Sequence, residues 1–168
     1  MKYTPLKNRK ANMTVLVALL LVFSVFLLLN AMLDSYRFLC QVGALITVTV
    51  FIQITARYEL PIYSYIIDKN NFAVVREQGK KVSQLCNVDL TTGIAIMKKD
   101  EYKALPGERK RKITKCYNFC QNIFADSYYY IFEFNGWQGL IIAELSEAMA
   151  AEIKRIIDNT VEADEADE

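Results

Sequence analysis

Residues 13–33 read MTVLVALLLVFSVFLLLNAML. The stretch contains no charged side chain, and its only polar side chains are Thr14, Ser24 and Asn30. The hydrocarbon core of a bilayer is about 30 Å thick, and a helix that rises about 1.5 Å per residue crosses it in roughly 20 residues. The stretch therefore predicts a transmembrane helix.

A second uncharged stretch follows after the short polar link Asp34-Ser35-Tyr36-Arg37, and residues 38–56 read FLCQVGALITVTVFIQITA. So short a link forces two spanning helices to run antiparallel, and helices satisfy their backbone hydrogen bonds inside lipid. We therefore expect a transmembrane helical hairpin over residues 13–56. The alternative for the first stretch is a cleaved signal peptide, but its apolar run is longer than a usual signal core.

Basic residues near the ends of the two stretches predict the orientation of the hairpin. The link carries one basic residue, Arg37, whereas the outer flanks carry Lys2, Lys7, Arg9, Lys10 and Arg57. Because basic flanks stay on the cytoplasmic side, we expect a multi-pass protein of the plasma membrane with both termini in the cytoplasm. Residues 1–12 are then a basic cytoplasmic segment.

The second stretch carries candidates for helix packing. Gln41, Thr49 and Gln53 are polar at membrane depth, and Gly43 permits close approach of another helix. Thr49 and Gln53 are one turn apart and share a face. Two partners remain open: the first helix of the same hairpin, or a surface of a second copy or of another membrane protein.

Residues 57–159 predict a separate cytoplasmic domain of short strands. The apolar segments 63–68 and 72–77 flank Lys69-Asn70-Asn71, and further strands are expected over 81–88 and 93–97. Asn135-Gly136 separates the aromatic segment YYYIFEF from the apolar segment WQGLIIAE. Asn-Gly between two such runs is the strongest local signal for a hairpin, because its turn needs positive φ at both residues.

The remaining segments differ in how clearly they indicate structure. Residues 113–124 fit either a strand or a helix, and their aromatic and β-branched content favours a strand paired antiparallel with the next one. Residues 146–159 predict a helix, with Ser146 as its N-cap and an apolar stripe on one face. The acidic residues 160–168 lack such a stripe and are expected to be disordered.

The order of these segments resembles a known family. A helical hairpin followed by IIDKNNFAVV, KKVSQLCNVDL, TKCYNFCQNIF, YYYIFEFNGWQGLIIAELS and a final helix is similar to small bacterial membrane proteins with a cytoplasmic pleckstrin-homology-like domain, the YcxB-like family. The resemblance covers residues 63–159. It implies a membrane-anchored α+β protein with an antiparallel β barrel or sheet of about seven strands, capped by a C-terminal helix. It also implies a binding or assembly module beside the membrane, and it transfers no site residue.

Composition excludes several classes of function. The 168 residues are 53% hydrophobic and include 20 basic and 19 acidic side chains but no histidine. This balance fits neither a disordered chain nor a nucleic-acid-binding protein. Without an imidazole, the common nucleophile–histidine pairs and histidine-ligated zinc sites are absent. We therefore expect no enzymatic activity and no cofactor.

The cysteines do not predict a metal site or a disulfide. A zinc site needs four clustered ligands, and the cytoplasm keeps thiols reduced. Along an extended strand Cys116 and Cys120 would lie about 13 Å apart, which is too far for a disulfide. We expect free thiols at all four positions, which are Cys40, Cys86, Cys116 and Cys120.

Residues 98–115 form the densest charged run, with eight basic and three acidic side chains around Pro106-Gly107. We expect a loop here, and each basic residue near an anionic membrane surface contributes about 1 kcal/mol to binding. The alternative is a solvated loop between strands. The candidate residues for contact with anionic headgroups are Lys98, Lys99, Arg109, Lys110, Arg111 and Lys112.

Two hypotheses for function follow from this organisation. In the first, the hairpin anchors a non-catalytic domain that binds a lipid surface, a peptide or a partner subunit at the cytoplasmic face. In the second, the hairpin itself acts in an accessory or oligomeric subunit of a transport or secretion complex. The hairpin contains no ionisable group at membrane depth, which argues against a transport path through it.

Overall fold

The computed structural model describes residues 1–166 of the chain, with side chains for all of them except Asp34 and residues 161–166. The chain divides into two compact units. We call them the hairpin unit, which holds Lys7–Pro61 and Asn122–Phe124, and the β unit, which holds Met1–Leu6, Ile62–Gln121 and the chain from Ala125 onward.

The hairpin unit consists of two long antiparallel helices. α1 (Arg9–Met32) and α2 (Arg37–Ile54) are joined through one 3-10 turn, and a π-helical turn, Thr55–Glu59, extends α2. Both helices are long and apolar enough to cross a membrane. They pack closely at Gly43, where an added Cβ would lie 2.5 Å from the Phe26 ring. α1 begins four residues before its predicted span and ends one residue inside it, whereas α2 begins one residue before its span and ends two residues inside it.

Polar contacts close the open end of this hairpin. Lys7 Nζ lies 3.1 Å from the Glu59 carboxylate and also donates to the Glu59 carbonyl. The backbone N–H of Asn8 donates to Asn122 Oδ1 at 2.6 Å. Both side chains of the Lys7–Glu59 pair are mostly covered, which strengthens the attraction relative to an exposed pair. The two chain segments that enter and leave the hairpin are therefore held together.

The first residues of the chain belong to the β unit. β1 (Lys2–Tyr3) pairs antiparallel with β2 (Ile62–Asp68), and Thr4 Oγ1 lies 2.8 Å from Ser64 Oγ. Residues 1–6 of the basic segment expected over residues 1–12 therefore belong to the β unit. Two residues are too few for a strand pattern, so their pairing depends on β2 rather than on local sequence.

The first sheet has the strand order β1-β2-β3-β4 and is wholly antiparallel. β3 (Asn71–Gln78) follows β2 through a tight turn with Lys69 at φ 51°, and β4 (Lys81–Asp89) follows through Gly79 at φ 60°. The strands predicted over residues 63–68, 72–77 and 81–88 are confirmed. Glycine suits the second turn because it adopts positive φ without a steric cost.

The second sheet has the order β5-β7-β8-β6. The Asn-Gly hairpin is confirmed: β7 (Tyr128–Phe134) and β8 (Trp137–Ala143) pair antiparallel, with φ 48° at Asn135 and 78° at Gly136. β5 (Gly93–Lys98) pairs with the other edge of β7.

The sixth strand departs from the prediction. β6 (Ile113–Asn118) ends before residue 119 and pairs parallel with β8, so the expected antiparallel pairing with β7 is wrong. The connection over residues 119–127 does not turn back at once. Phe119 and Cys120 are buried in it, and the Phe119 N–H donates to the Ile142 carbonyl at 2.8 Å. Because these side chains are buried, the chain continues alongside β8 after β6 ends and reverses direction only later, where it forms β7.

The predicted loop between β5 and β6 contains two short helices, α3 (Lys99–Ala104) and α4 (Gly107–Arg111). Acidic side chains in the first turn of α3 compensate the positive end of its dipole, and the Lys98 N–H donates to the Glu101 carboxylate at 3.1 Å. Pro106 lacks an N–H and separates the helices. The loop prediction is therefore corrected for both helical segments.

The C-terminal helix, α5 (Glu147–Ala166), packs its predicted apolar stripe into the core. Met149, Ile153 and Ile157 are buried, and Ser146 Oγ accepts a hydrogen bond from the Met149 N–H at 3.2 Å. The N-cap and the stripe are confirmed. Side chains of both sheets complete the core, namely Tyr63, Tyr65, Ile67, Phe72, Val74, Tyr130, Phe132 and Ile141.

The helix continues past its predicted end at Asn159. Residues 160–166 of the acidic tail, expected to be disordered, extend α5, and residues 167–168 lie outside the described residues. This segment contains no glycine or proline that would end a helix, and its alanine and glutamate residues are good helix formers. Thr160 Oγ1 also donates to the Ile156 carbonyl at 2.9 Å within the helix.

The pairing of β1 with β2 predicts that the β unit folds without the hairpin. Replacing residues 7–61 by a four-residue Gly/Asn linker turns β1 and β2 into a simple β-hairpin, because the register brings Leu6 beside Ile62. We expect a soluble protein with cooperative urea unfolding, monitored by fluorescence of Trp137. An aggregated product, or one without a cooperative transition, contradicts this expectation.

A matched version that begins at Ile62 tests the contribution of β1. It lacks the Tyr3 ring, which stacks on Tyr65 with centroids 6.4 Å apart, and the contact between Thr4 and Ser64. We expect its free energy of unfolding to be lower by about 2 kcal/mol. Equal stability of the two versions would show that β1 is dispensable.

Candidate functional site

The basic run is fixed to the second sheet through aromatic contacts. The Tyr102 ring of α3 stacks on the Tyr129 ring of β7, with centroids 4.6 Å apart. Lys110 of α4 places its ammonium 5.7 Å from the Tyr102 ring centroid and donates to the Lys103 carbonyl at 2.7 Å. These contacts connect α4 to α3 and α3 to the second sheet. The residues of the basic run therefore have defined positions on the surface.

Six cations were predicted to form the site, and two of them are engaged within the β unit. Lys98 lies 3.7 Å from the Glu147 carboxylate, an exposed pair of small energetic value, and also lies over the Tyr128 ring. Lys110 is directed toward Tyr102, as described above. Glu147 therefore offsets part of the Lys98 charge, whereas Lys110 keeps its charge but lies against the Tyr102 ring.

The other four predicted cations are exposed and have no carboxylate partner within the part of the chain that the structure describes. They are Lys99, Arg109, Arg111 and Lys112. Arg109, Arg111 and Lys112 lie within four consecutive residues at the end of α4, and Lys99 begins α3. Unpaired, solvated cations at this density attract anions over about one Debye length, roughly 8 Å at physiological salt.

A cavity of about 280 Å³ lies beside this cluster. Arg109 and Lys112 line one part of it, and apolar side chains line the rest, including Ile94, Leu105 and Ile131. Ile94 is 44% exposed, which is unusual for a large aliphatic side chain in a sheet. The site therefore combines positive charge with an accessible apolar surface.

A second cavity, of about 390 Å³, has a different character. Lys98 and Lys99 line it together with Asp100, Asp126 and Glu147. Three carboxylates oppose the two lysines, so this cavity carries no net positive charge, and Lys99 lines it rather than the apolar cavity beside Arg109 and Lys112.

The predicted packing residues of the second helix do not all face its partner. Gly43 does, against Phe26. Gln41, Thr49 and Gln53 are exposed on α2, and the Thr49 hydroxyl donates to the Leu45 carbonyl of its own helix at 2.9 Å. Gln41 and Gln53 therefore have no hydrogen-bond partner among the described residues; Gln41 lines a groove between the two helices, and Gln53 lies outside it.

The four cysteines are free, and no cluster of metal-ligating side chains occurs within residues 1–160, where side chains are described. Cys40 and Cys120 are buried, Cys116 is exposed, and Cys86 is half-buried. Burial raises the pKa of the Cys86 thiol to about 11, because an ionised thiolate is poorly solvated inside the sheet.

The raised pKa of Cys86 predicts slow alkylation. The thiolate is the reacting species, so at pH 8 its modification by iodoacetamide should be about a hundredfold slower than that of an unperturbed thiol. The rate should rise about tenfold per pH unit and level off only near pH 11, as measured by peptide mass spectrometry. A plateau below pH 9 contradicts the burial of Cys86. The reference for an unperturbed thiol is a small free thiol, because burial also raises the pKa of Cys116.

Two features of this region were missed by sequence reasoning. Lys115 lies over the Trp137 ring, 4.6 Å from its centroid, and Tyr102 stacks on Tyr129. Both contacts join residues that are distant in sequence, so no local spacing could indicate them. An aromatic residue within a basic run, such as Tyr102, is the one signal that could have suggested an anchored surface.

These observations define a class: an α+β chain in which two long apolar helices interrupt a two-sheet unit between its first and second strands. The exposed cations form the most distinctive surface of that unit. No protein-family model, no curated protein and no solved structure matches the chain.

Proposed function

We propose that this chain is a non-catalytic integral membrane protein whose β unit binds the anionic surface of the cytoplasmic leaflet. The hairpin of α1 and α2 spans the bilayer and anchors the β unit, which we relate to pleckstrin-homology-like domains. The observation that carries the proposal is the group of four exposed cations without a carboxylate partner among the described residues. Two of them, Arg109 and Lys112, line an accessible apolar cavity.

The connection of the strands supports the proposed topology. β1 precedes the hairpin and β2 follows it, and the two strands pair. If the hairpin spans a membrane, both flanks must therefore lie on the same side of it. The basic residues Lys2, Lys7, Arg9, Lys10 and Arg57 on those flanks favour the cytoplasmic side.

The energy available from the cluster is sufficient for weak binding. Each basic residue near an anionic surface contributes about 1 kcal/mol, so four give about 4 kcal/mol. That corresponds to millimolar affinity for a free domain. Attachment to the hairpin supplies an effective lipid concentration in the millimolar range or above, so a tethered domain would be bound much of the time.

Protease protection tests this proposal on the full chain. The protein is placed in nanodiscs of neutral phosphatidylcholine or of phosphatidylcholine with anionic phosphatidylglycerol, and trypsin cleavage after Arg109, Arg111 and Lys112 is followed by mass spectrometry. We expect cleavage to be about tenfold slower in the anionic discs at low salt. The protection should disappear at 1 M salt, where the Debye length is about 3 Å.

Cleavage after Lys80, in the turn between β3 and β4, and after Lys81, at the start of β4, provides the control. Both lysines are exposed but lie outside the cationic cluster. Equal protection at the two places would indicate a general effect of anionic lipid on trypsin. Equal cleavage of the cluster in both kinds of disc would contradict the proposal.

A further inference from the structure

The hairpin unit carries a groove on one face that its own side chains do not fill. The groove encloses about 290 Å³ and is lined by residues of both helices, mostly apolar: Phe23, Phe26, Leu27, Asn30, Cys40, Gln41, Ala44, Leu45 and Val48. Leu45, at its edge, is 68% exposed. A branched apolar side chain thus lies next to a cavity large enough to receive one.

Two amide side chains in this groove have unmet hydrogen-bonding capacity. Asn30 Oδ1 is buried without a partner among the described residues, and Gln41 makes no hydrogen bond with any of them. The polar residues nearby differ, since the hydroxyls of Ser24 and Thr47 donate to carbonyls of their own helices at 2.9 and 2.8 Å. In lipid no water replaces the missing partners, so the unpaired amides are costly.

The unpaired amides of the groove favour an occupant that can form hydrogen bonds. A lipid acyl chain would fill the volume and leave both amides unpaired. A second copy of the hairpin presents the same amides, and each amide has both a donor and an acceptor. Turning an amide about its last bond exchanges two nearly isosteric atoms, so Asn30 can offer either one to the groove.

We propose that the hairpin dimerises with a second copy through this groove, with a two-fold axis between the copies. Leu45 of each copy enters the groove of the other, and the Gln41 amide of one copy pairs with the Asn30 amide of its partner. Such an interface is self-complementary, as a two-fold contact requires. The inference rests on the hairpin spanning the membrane, as proposed above, but not on lipid binding by the β unit.

Disulfide trapping in native membranes tests the position of the interface. Leu45→Cys and Ile46→Cys are compared in a Cys116→Ser background, because both side chains are more than half exposed but only Leu45 lines the groove. We expect mild oxidation to give a covalent dimer with Leu45→Cys and at least fivefold less with Ile46→Cys. Equal yields, or trapping of a different protein in place of a second copy, overturn the assignment.

Energy transfer between labelled copies in liposomes tests the role of the amides. Because Gln41→Leu removes two amide hydrogen bonds from each dimer, it should shift the midpoint of dissociation about tenfold toward higher protein-to-lipid ratio. Gln53→Leu is the matched control, since it makes the same change on the same helix but outside the groove. Loss of dimer with Gln53→Leu rather than Gln41→Leu would overturn the proposed face.

Carbonate extraction, performed on the same membranes, separates the two proposals. A chain that resists extraction but remains monomeric at every lipid ratio overturns the dimer and leaves the membrane anchor intact. A chain that is extracted overturns the spanning hairpin, and the dimer with it.

Discussion

Tyr65→Phe should lower the free energy of unfolding by about 3 kcal/mol. Tyr65 is completely buried, and its hydroxyl donates to the Phe119 carbonyl at 3.0 Å and accepts from the Glu144 N–H at 3.1 Å. These two bonds connect the first sheet to the segment after β6 and to the residue that follows β8. Removing the hydroxyl leaves buried backbone groups without these partners, at about 1 to 3 kcal/mol each.

Tyr130→Phe is the matched control. Tyr130 is 1% exposed in the same core, but its hydroxyl has no hydrogen-bond partner among the described residues. We therefore expect the free energy of unfolding of Tyr130→Phe to be at most about 1 kcal/mol lower than that of the original protein, or to be higher. Urea unfolding of the version without the hairpin measures both variants. Equal losses would show that the Tyr65 hydroxyl does not connect the sheets as described.

The same two phenols predict a loss of stability in alkali. Burial raises the pKa of both Tyr65 and Tyr130 above the usual value of 10.0. In the unfolded chain these groups lose their protons near pH 10, whereas in the folded protein they keep them to higher pH. The folded state thus binds more protons, so its stability is fully present below pH 10 and decreases as the pH rises further. Tyr130→Phe should make this decrease shallower.

Neutralising the end of α4 should have the largest effect on binding. We expect Arg109→Gln, Arg111→Gln and Lys112→Gln together to weaken binding of the hairpin-free β unit to anionic vesicles by about a hundredfold. Each cation contributes about 1 kcal/mol near the surface, and none of the three has a carboxylate partner among the described residues. Flotation with increasing lipid concentration measures the partition coefficient.

Three exposed lysines outside the cluster provide the control for net charge. Lys80→Gln, Lys81→Gln and Lys154→Gln change the charge equally, and these side chains are exposed in the turn after β3 and on α5. The control should bind within about threefold of the original protein, because binding depends on charges at the surface that faces the lipid. Equal losses in the two triple variants would show a diffuse charge effect instead of a localised site.

Local signals in the sequence predicted those parts of the fold that depend on few neighbours. The apolar stretches indicated α1 and α2, Asn135-Gly136 indicated the hairpin of β7 and β8, and the stripe after Ser146 indicated α5. In each case one local requirement determines the element: the helix length needed to cross a bilayer, the backbone conformation of a turn, or the spacing of apolar residues along a helix.

The elements that were missed depend on distant partners. β1 is too short to have a pattern of its own, and β6 pairs with β8 because the connection after it is buried. The arrangement of the basic run on the surface could be predicted only in part for the same reason. The run of cations is visible in the sequence, but the engagement of Lys98 with Glu147 and of Lys110 with Tyr102 depends on contacts across the fold.

The central claim is that the hairpin crosses the membrane and leaves the β unit in the cytoplasm. Labelling with a membrane-impermeant maleimide tests it at two sites: the native Cys116, which is exposed on β6, and Ser35→Cys, in the exposed turn between the helices. We expect Cys116 to be labelled only in inside-out vesicles and Ser35→Cys only in intact cells, with Cys116→Ser removing the first signal. Labelling of both sites from the same side would contradict it.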